Sequence, residues 1–262
     1  MKSTLGRPAI WALRALLLAA VLGGWELASG RLFEEFFVSR PSAIGAVAWS
    51  WVKSGRLFYH AGITITEAVA GFALGGLAGM TAGILLGRLQ LLADVLDPFI
   101  TMFYSLPKIA LAPLFVLWFG IGMDMKIILT ATVVFFLVFL NTYTGVRNVS
   151  RELIAILRLM GANERHVLTK VVLPSAVTWV FAGLRLSVPY ALIGAIVGEL
   201  IAANQGLGYL LADAAGQFNT AGVFAALLAI VLLALCLNLA VKLFEYRAMP
   251  WQRGQAVREM SI

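Results

Sequence analysis

RELIAILRLMGANERHVLTKVVLPSAV, residues 151–177, carries six charges and one histidine inside a chain whose other long stretches are apolar. Leu153, Ile154, Ile156, Leu157 and Met160 recur at spacings of three and four, which gathers them on one side of a helix, while Glu152, Ala155 and Arg158 share the other. Gly161 interrupts this short amphipathic helix, and Asn163 is placed to cap a second one beginning at Glu164. Pro174 is expected to force the chain out of that second helix and into the next apolar run. Helix, glycine turn, helix and proline make a rigid elbow. A plain connector would be shorter and less ordered, so the segment reads as a docking surface for a soluble partner.

The rest of the chain sets the solvent in which that elbow sits. Of 262 residues, 61% are hydrophobic and 13% charged, against roughly 45–50% and 25% in a soluble domain. This is an all-α polytopic membrane protein. Residues 68–87, 127–146 and 221–241 are free of charge and bracketed by Glu67, Arg88, Lys126, Arg147 and Lys242, each close to the ~20 residues that cross a bilayer as a helix. Residues 10–29, 98–122 and 174–198 are spans too, with Arg14 and Glu26, Lys108, and Arg185 inside them; long basic side chains tolerate this by snorkelling or by facing other helices. That makes six helices, or seven if Lys108, between Pro107 and Pro113, marks a break. The first span is read as a retained helix, with a cleaved signal peptide as the alternative, since Lys2, Arg7 and an apolar run precede ELASG.

With six spans and an internal N-terminus, thirteen Lys and Arg residues fall in cytoplasmic segments against five, Arg31, Arg40, Lys53, Arg56 and Lys126, outside. The positive-inside rule therefore places both termini in the cytoplasm. The excess of basic residues is a topology signal, with no cluster of the kind that binds nucleic acid.

Several chemistries have no motif here. No lysine follows a glycine, so the phosphate-binding G-x-x-x-x-G-K-[ST] loop is missing. His60 and His166 lie far apart on opposite sides of the expected membrane, which argues against a histidine metal site. Cys236, flanked by leucines, is expected to be a buried, inert thiol.

Gly71, Gly75, Gly79, Gly83 and Gly87 repeat at strict four-residue intervals, a ridge that lets another helix approach closely; the contact is either fixed packing or a surface that slides during a cycle. Asn141, Thr142, Thr144, Tyr104, Ser105, Ser187 and Tyr190 are polar positions within spans, which serve either interhelical hydrogen bonding or a solute path. Tyr104, Ser105, Asn141, Ser187 and Tyr190 are the candidates for that path. Glu199 is expected at the outer surface, before a loop-like stretch AANQGLGYLLADAAGQ.

Gly161, nine residues, then Val171-Val172-Leu173-Pro174 resembles the second half of the EAA loop in permease subunits of binding-protein-dependent ATP-binding-cassette (ABC) importers. The loop's opening triad falls on Ala155, Ile156 and Leu157, with Glu152 the nearest acid, a departure from the family pattern. RPSAI, AVAGFALGGLAGMTAGILLG, LPKIALAPLFVLWFGIG, NTYTGVRNV, VVLPSAVTWVFAGLRL and GELIAANQGLGYLL, in that order over residues 40–247, resemble the nitrate/sulfonate/taurine branch of those permeases.

The resemblance implies a type I ABC importer permease fold with a cytoplasmic coupling helix, in a multi-pass bacterial inner-membrane protein. Residues 1–55 would hold the first span and a periplasmic segment, 56–246 the transmembrane core and 247–262 a cytoplasmic tail. Glu152, Ala155, Leu159, Gly161, Ala162, Asn163 and Arg165 would dock the ATPase. The chain itself would be non-catalytic and bind no cofactor, ATP and Mg residing on the partner ATPase. A periplasmic or lipid-anchored binding protein, a second permease copy and membrane lipid complete the expected partners, and the solute would be a small organic or inorganic oxyanion. A secondary carrier of small organic anions is the alternative class, although paired mid-span acids and internal repeats are missing from the sequence.

Overall fold

The computed structural model describes residues 7–248. Its helices are α1 (Arg7–Ala28), α2 (Glu35–Val38), α3 (Pro41–Lys53), α4 (Arg56–Arg88), α5 (Gln90–Ser105), α6 (Ala112–Phe119), α7 (Met123–Arg147), α8 (Arg151–Leu159), α9 (Glu164–Val167), α10 (Leu173–Ala202), α11 (Leu207–Gly216) and α12 (Thr220–Ala248). Five segments are long and apolar enough to span: Pro8–Ala28, Arg56–Arg88, Met123–Arg147, Glu164–Ala202 and Thr220–Arg247. A sixth exists if the pair Leu91–Ser105 and Lys108–Phe119, bent by 75°, counts as one. Most of the expected tail, residues 249–262, lies outside the described residues.

The centre is α4 packed lengthwise on α7, with α10 against both. Sequence explains how two helices come so near. A Cβ built on Gly71, Gly75, Gly79, Gly83 or Gly87 would stand 2.5 Å from the Thr130 side chain, 2.3 Å from the Ala131 carbonyl oxygen, 2.6 Å from the Phe135 carbonyl oxygen, 2.7 Å from Thr142 Cβ and 2.8 Å from Val146 Cβ. Every one of those atoms belongs to α7. In lipid, where apolar burial gives little drive, such backbone-to-backbone approach supplies the dispersion energy that associates helices. On the other flank, Gly145 of α7 accommodates Trp179 and Gly183 of α10 accommodates Asn141.

α1 touches this core sparingly. Its Glu26 carboxylate accepts from Ser42 N at 3.0 Å and Ser42 Oγ at 2.7 Å, capping the start of α3 from outside, and Trp25 meets Phe224 edge-on. α3, α11 and α12 share an apolar cluster of Ile44, Trp51, Leu207, Leu210, Ala225 and Ala226.

Three expectations about the helices need correction, and one left open is decided. The stretch after Ala202 is not simply a loop, because residues 207–216 form α11. The break left open beside Lys108 is present, at Leu106–Pro107, where proline removes an amide donor. Pro174 does not force the chain out of a helix. A wide π turn over Leu168–Val172, closed by Leu173 N–H on the Leu168 carbonyl, carries α9 into α10, and the wider turn makes room for a ring that has no N–H to contribute. Cys236 is exposed rather than buried, since α12 meets the bundle along one narrow face and this residue points away from it.

Candidate functional site

The elbow is held by three local devices. Ser150 Oγ accepts from Leu153 N at 3.2 Å at the start of α8, and Asn163 Oδ1 accepts from His166 N at 2.9 Å at the start of α9. Between them Gly161 has φ +82°, its N–H donates to the Arg158 carbonyl at 3.0 Å, and Ala162 N–H donates to the Leu157 carbonyl at 3.0 Å. This 6→1 and 5→2 pairing is a Schellman close, which needs the left-handed residue that glycine supplies. Nothing lies within 4 Å of a Cβ built on Gly161, so the constraint is backbone conformation rather than space.

The amphipathic side of α8 splits in two. Ile154 and Leu157 pack with Val146, Val167, Val172 and Ala176, whereas Leu153, Ile156, Leu159 and Met160 are exposed, Leu159 at 88%. Glu152, Ala155, Asn163 and Arg165 are exposed and Ala162 is half-buried. Glu164 bonds Arg158 at 2.8 Å and reaches Arg88 of α4 at 3.7 Å. The elbow thus presents apolar side chains to water from a rigid base tied to α4.

At the opposite end lies a polar cluster that the sequence reading did not assemble. Lys126 Nζ donates to Glu67 Oε1 at 2.7 Å, both side chains almost wholly buried; the Glu67 carboxyl also meets that of Glu199. Glu199 is not at the surface but 1% exposed, accepting from Thr64 Oγ1 at 2.7 Å and Gly208 N at 2.6 Å. Leu207 N donates to Thr64 Oγ1 at 2.8 Å, and Gly206 N to His60 Nδ1 at 2.9 Å. α11 has no side-chain cap of its own. Its first amides are satisfied instead by α4 and α10, which fixes its start against the core. A Cβ on Gly206, at φ +110°, would fall 2.0 Å from Glu199 Oε1.

Comparison with known proteins now bears on the fold and the elbow together. Residues 75–249 match the model of the family described as "Binding-protein-dependent transport system inner membrane component". The chain belongs to that family. It is an ABC importer permease, a non-catalytic membrane subunit, and such permeases work with an ATPase and a solute-binding protein. Among its relatives, a putative aliphatic sulfonates transport permease protein of Bacillus subtilis is 32% identical over 93% of this chain and 89% of that protein. The formylaminopyrimidine transport permease protein of Halalkalibacterium halodurans is 33% identical over 88% of this chain and 92% of that one. The methionine ABC transporter MetNI, solved in inward-facing conformations, superposes with a TM-score of 0.60 at 19% identity, over 70% of this chain and 91% of that one, a likeness of fold. Membership sets aside the secondary-carrier alternative.

The permease does not gather its five candidate path residues onto one surface. Tyr104, Ser105 and Tyr190 are exposed and Asn141 is half-buried. Ser187 is fully buried on the side of α10 that includes Gly183 and Ala191, donating to the Gly183 carbonyl at 2.6 Å. Asn141 likewise donates within its own helix, to Leu137 at 2.8 Å. These two polar groups satisfy local backbone, the arrangement that lipid-spanning helices use when no partner is opposite.

Proposed function

We propose that two copies of this chain form the membrane path of a bacterial inner-membrane importer for a small oxyanion, a sulfonate first, with the elbow seated in a cleft of the ATPase and both termini cytoplasmic. The observation that carries the reading is the elbow: four exposed apolar side chains on a capped, glycine-closed base joined by a continuous helix to the bundle. ATP binding on the partner, with its Mg ion, would close the ATPase dimer, and a rigid base passes that displacement to α10 through the π turn. Candidate docking residues are Glu152, Ala155, Leu159, Gly161, Ala162, Asn163 and Arg165. The sulfonate assignment is supported by the relative named for aliphatic sulfonates. The deciding test screens the cognate binding protein for thermal stabilisation by alkanesulfonates, taurine, nitrate and pyrimidines; a pyrimidine ligand alone would move the substrate to the class named for the second relative.

Two expected results test the assembly. Gly161→Val forces a β-branched residue to φ +82°, at about 1–3 kcal/mol of local strain. The variant should insert normally yet lose ATPase docking or uncouple hydrolysis from transport, while Gly161→Ala is milder. Full binding-protein-stimulated ATPase activity and full transport in Gly161→Val would remove the elbow from the transmission role. Reporter fusions at Ile262 and after Ser54 should lie on opposite sides of the membrane; the same side for both would sink the topology.

A further inference from the structure

We infer that the broken helix around Ser105–Lys108 lines an aqueous solute path and that Lys108 is its anion-binding residue. The inference rests on the importer reading above and adds a named site to it.

Depth comes first. Lys108 Nζ lies 4.6 Å from the ring centroid of Phe136 and 4.7 Å from that of Tyr104. Phe136 is at the middle of α7, which spans Met123–Arg147, so at 1.5 Å per residue it lies roughly 17–20 Å from either end. The ammonium is therefore near the middle of the bilayer, not at an interface.

Charge comes second. Lys108 donates to the Tyr104 carbonyl, and no carboxylate among the described residues forms an ion pair with it. The other basic groups of the core helices are matched: Lys126 by Glu67, Arg147 by Asp94 and Arg185 by Glu245. Two aromatic faces and one carbonyl stabilise a cation partially, yet a mid-membrane charge without a counter-ion is costly unless water or an anion reaches it.

The backbone supplies the third argument. Leu106 is extended and Pro107 has no N–H, so regular helical bonding lapses at the break. Irregular backbone at membrane depth survives only where protein covers it or water lines it, never against lipid. Ser105, Leu106 and Pro107 are all exposed in the single chain. A cation, a hydroxyl and an interrupted backbone on one open face make a surface suited to a small hydrated anion.

The test uses the permease–ATPase complex in nanodiscs with Cys236→Ser and a reporter, Ser105→Cys. The probes are 2-sulfonatoethyl and 2-(trimethylammonio)ethyl methanethiosulfonate, each rate divided by that with a free thiol. The expected result is modification by both reagents, with the sulfonate favoured about tenfold. Lys108→Met should reduce that preference to about one, while Lys108→Arg retains it. Leu106→Cys gives a second reporter if Ser105→Cys fails to assemble. Protection from both reagents at both positions, or a sulfonate preference untouched by Lys108→Met, would overturn the inference. The readout does not depend on the natural solute. An importer that proves to carry a neutral solute while keeping the Lys108-dependent preference would defeat the oxyanion reading and leave this site standing.

Discussion

Gly75→Leu is expected to abolish recovery of folded permease, whereas Gly62→Leu on the same helix should leave it near wild type. A Cβ at position 75 would stand 2.3 Å from the Ala131 carbonyl oxygen and 2.9 Å from two other backbone atoms of that residue. Side chains can change rotamer to admit bulk, but a helix backbone cannot move without carrying its neighbours. The remedy is to push α4 and α7 apart, and that separation also loosens the contacts at Gly71, Gly79 and Gly83. Overpacking one core position usually costs about 1–3 kcal/mol; loss of a shared ridge exceeds that. At Gly62 nothing lies within 4 Å of a Cβ, so the helix, the insertion signal and the substitution are the same and only the contact differs. Monodispersity in detergent and yield after affinity purification give the measurement. Equal recovery of both variants would mean that α4 does not rest on α7 through its glycines.

The contrast shows which kind of information the sequence holds. Charge-free windows and a four-residue glycine repeat are local properties, and they are enough to place the spans and the ridge of α4. The cap at Asn163 acts within three residues and is legible in the sequence; the Ser150 cap of α8 is as local but lies outside the amphipathic pattern that marks the elbow. Pro174 misleads because proline normally ends a helix, and the π turn that admits it depends on geometry rather than on residue type. Glu67, Lys126 and Glu199 look like ordinary span boundaries, where charge usually meets water. Their partnership joins residues 59 or more positions apart, and only the parallel packing of α4 on α7 brings them together. One clue was available: Glu67 and Lys126 each stand just before a charge-free span, at the N-terminal ends of two spans that run the same way. The outward face of Cys236 has no local signature, because leucines surround it whether it faces the bundle or lipid.

Lys126→Met is the substitution expected to separate that buried cluster from ordinary packing. Methionine keeps most of the aliphatic stem, which matters because the stem fills the space beside Gly198, whose Cβ would be 2.9 Å from Lys126 Cγ. What disappears is the ammonium that bonds Glu67 at 2.7 Å. Glu67 then has no cation, is 0% exposed, and still meets the carboxyl of Glu199. Removing one partner of a buried pair costs about 3–5 kcal/mol, mostly from the charge left behind. The damage should reach α11, since Glu199 and Thr64 hold its first amides. Adding Glu67→Gln should recover much of the loss, because the abandoned charge is gone and an amide can donate to the Glu199 carboxyl. Lys108→Met offers the complementary control: that lysine forms no ion pair among the described residues, so its loss should barely move the thermal midpoint. Thermal unfolding of the purified permease followed by size exclusion can rank all three. If Lys126→Met unfolds no earlier than Lys108→Met, or if Glu67→Gln makes it worse, the pair is not what joins α4 to α7 at this end.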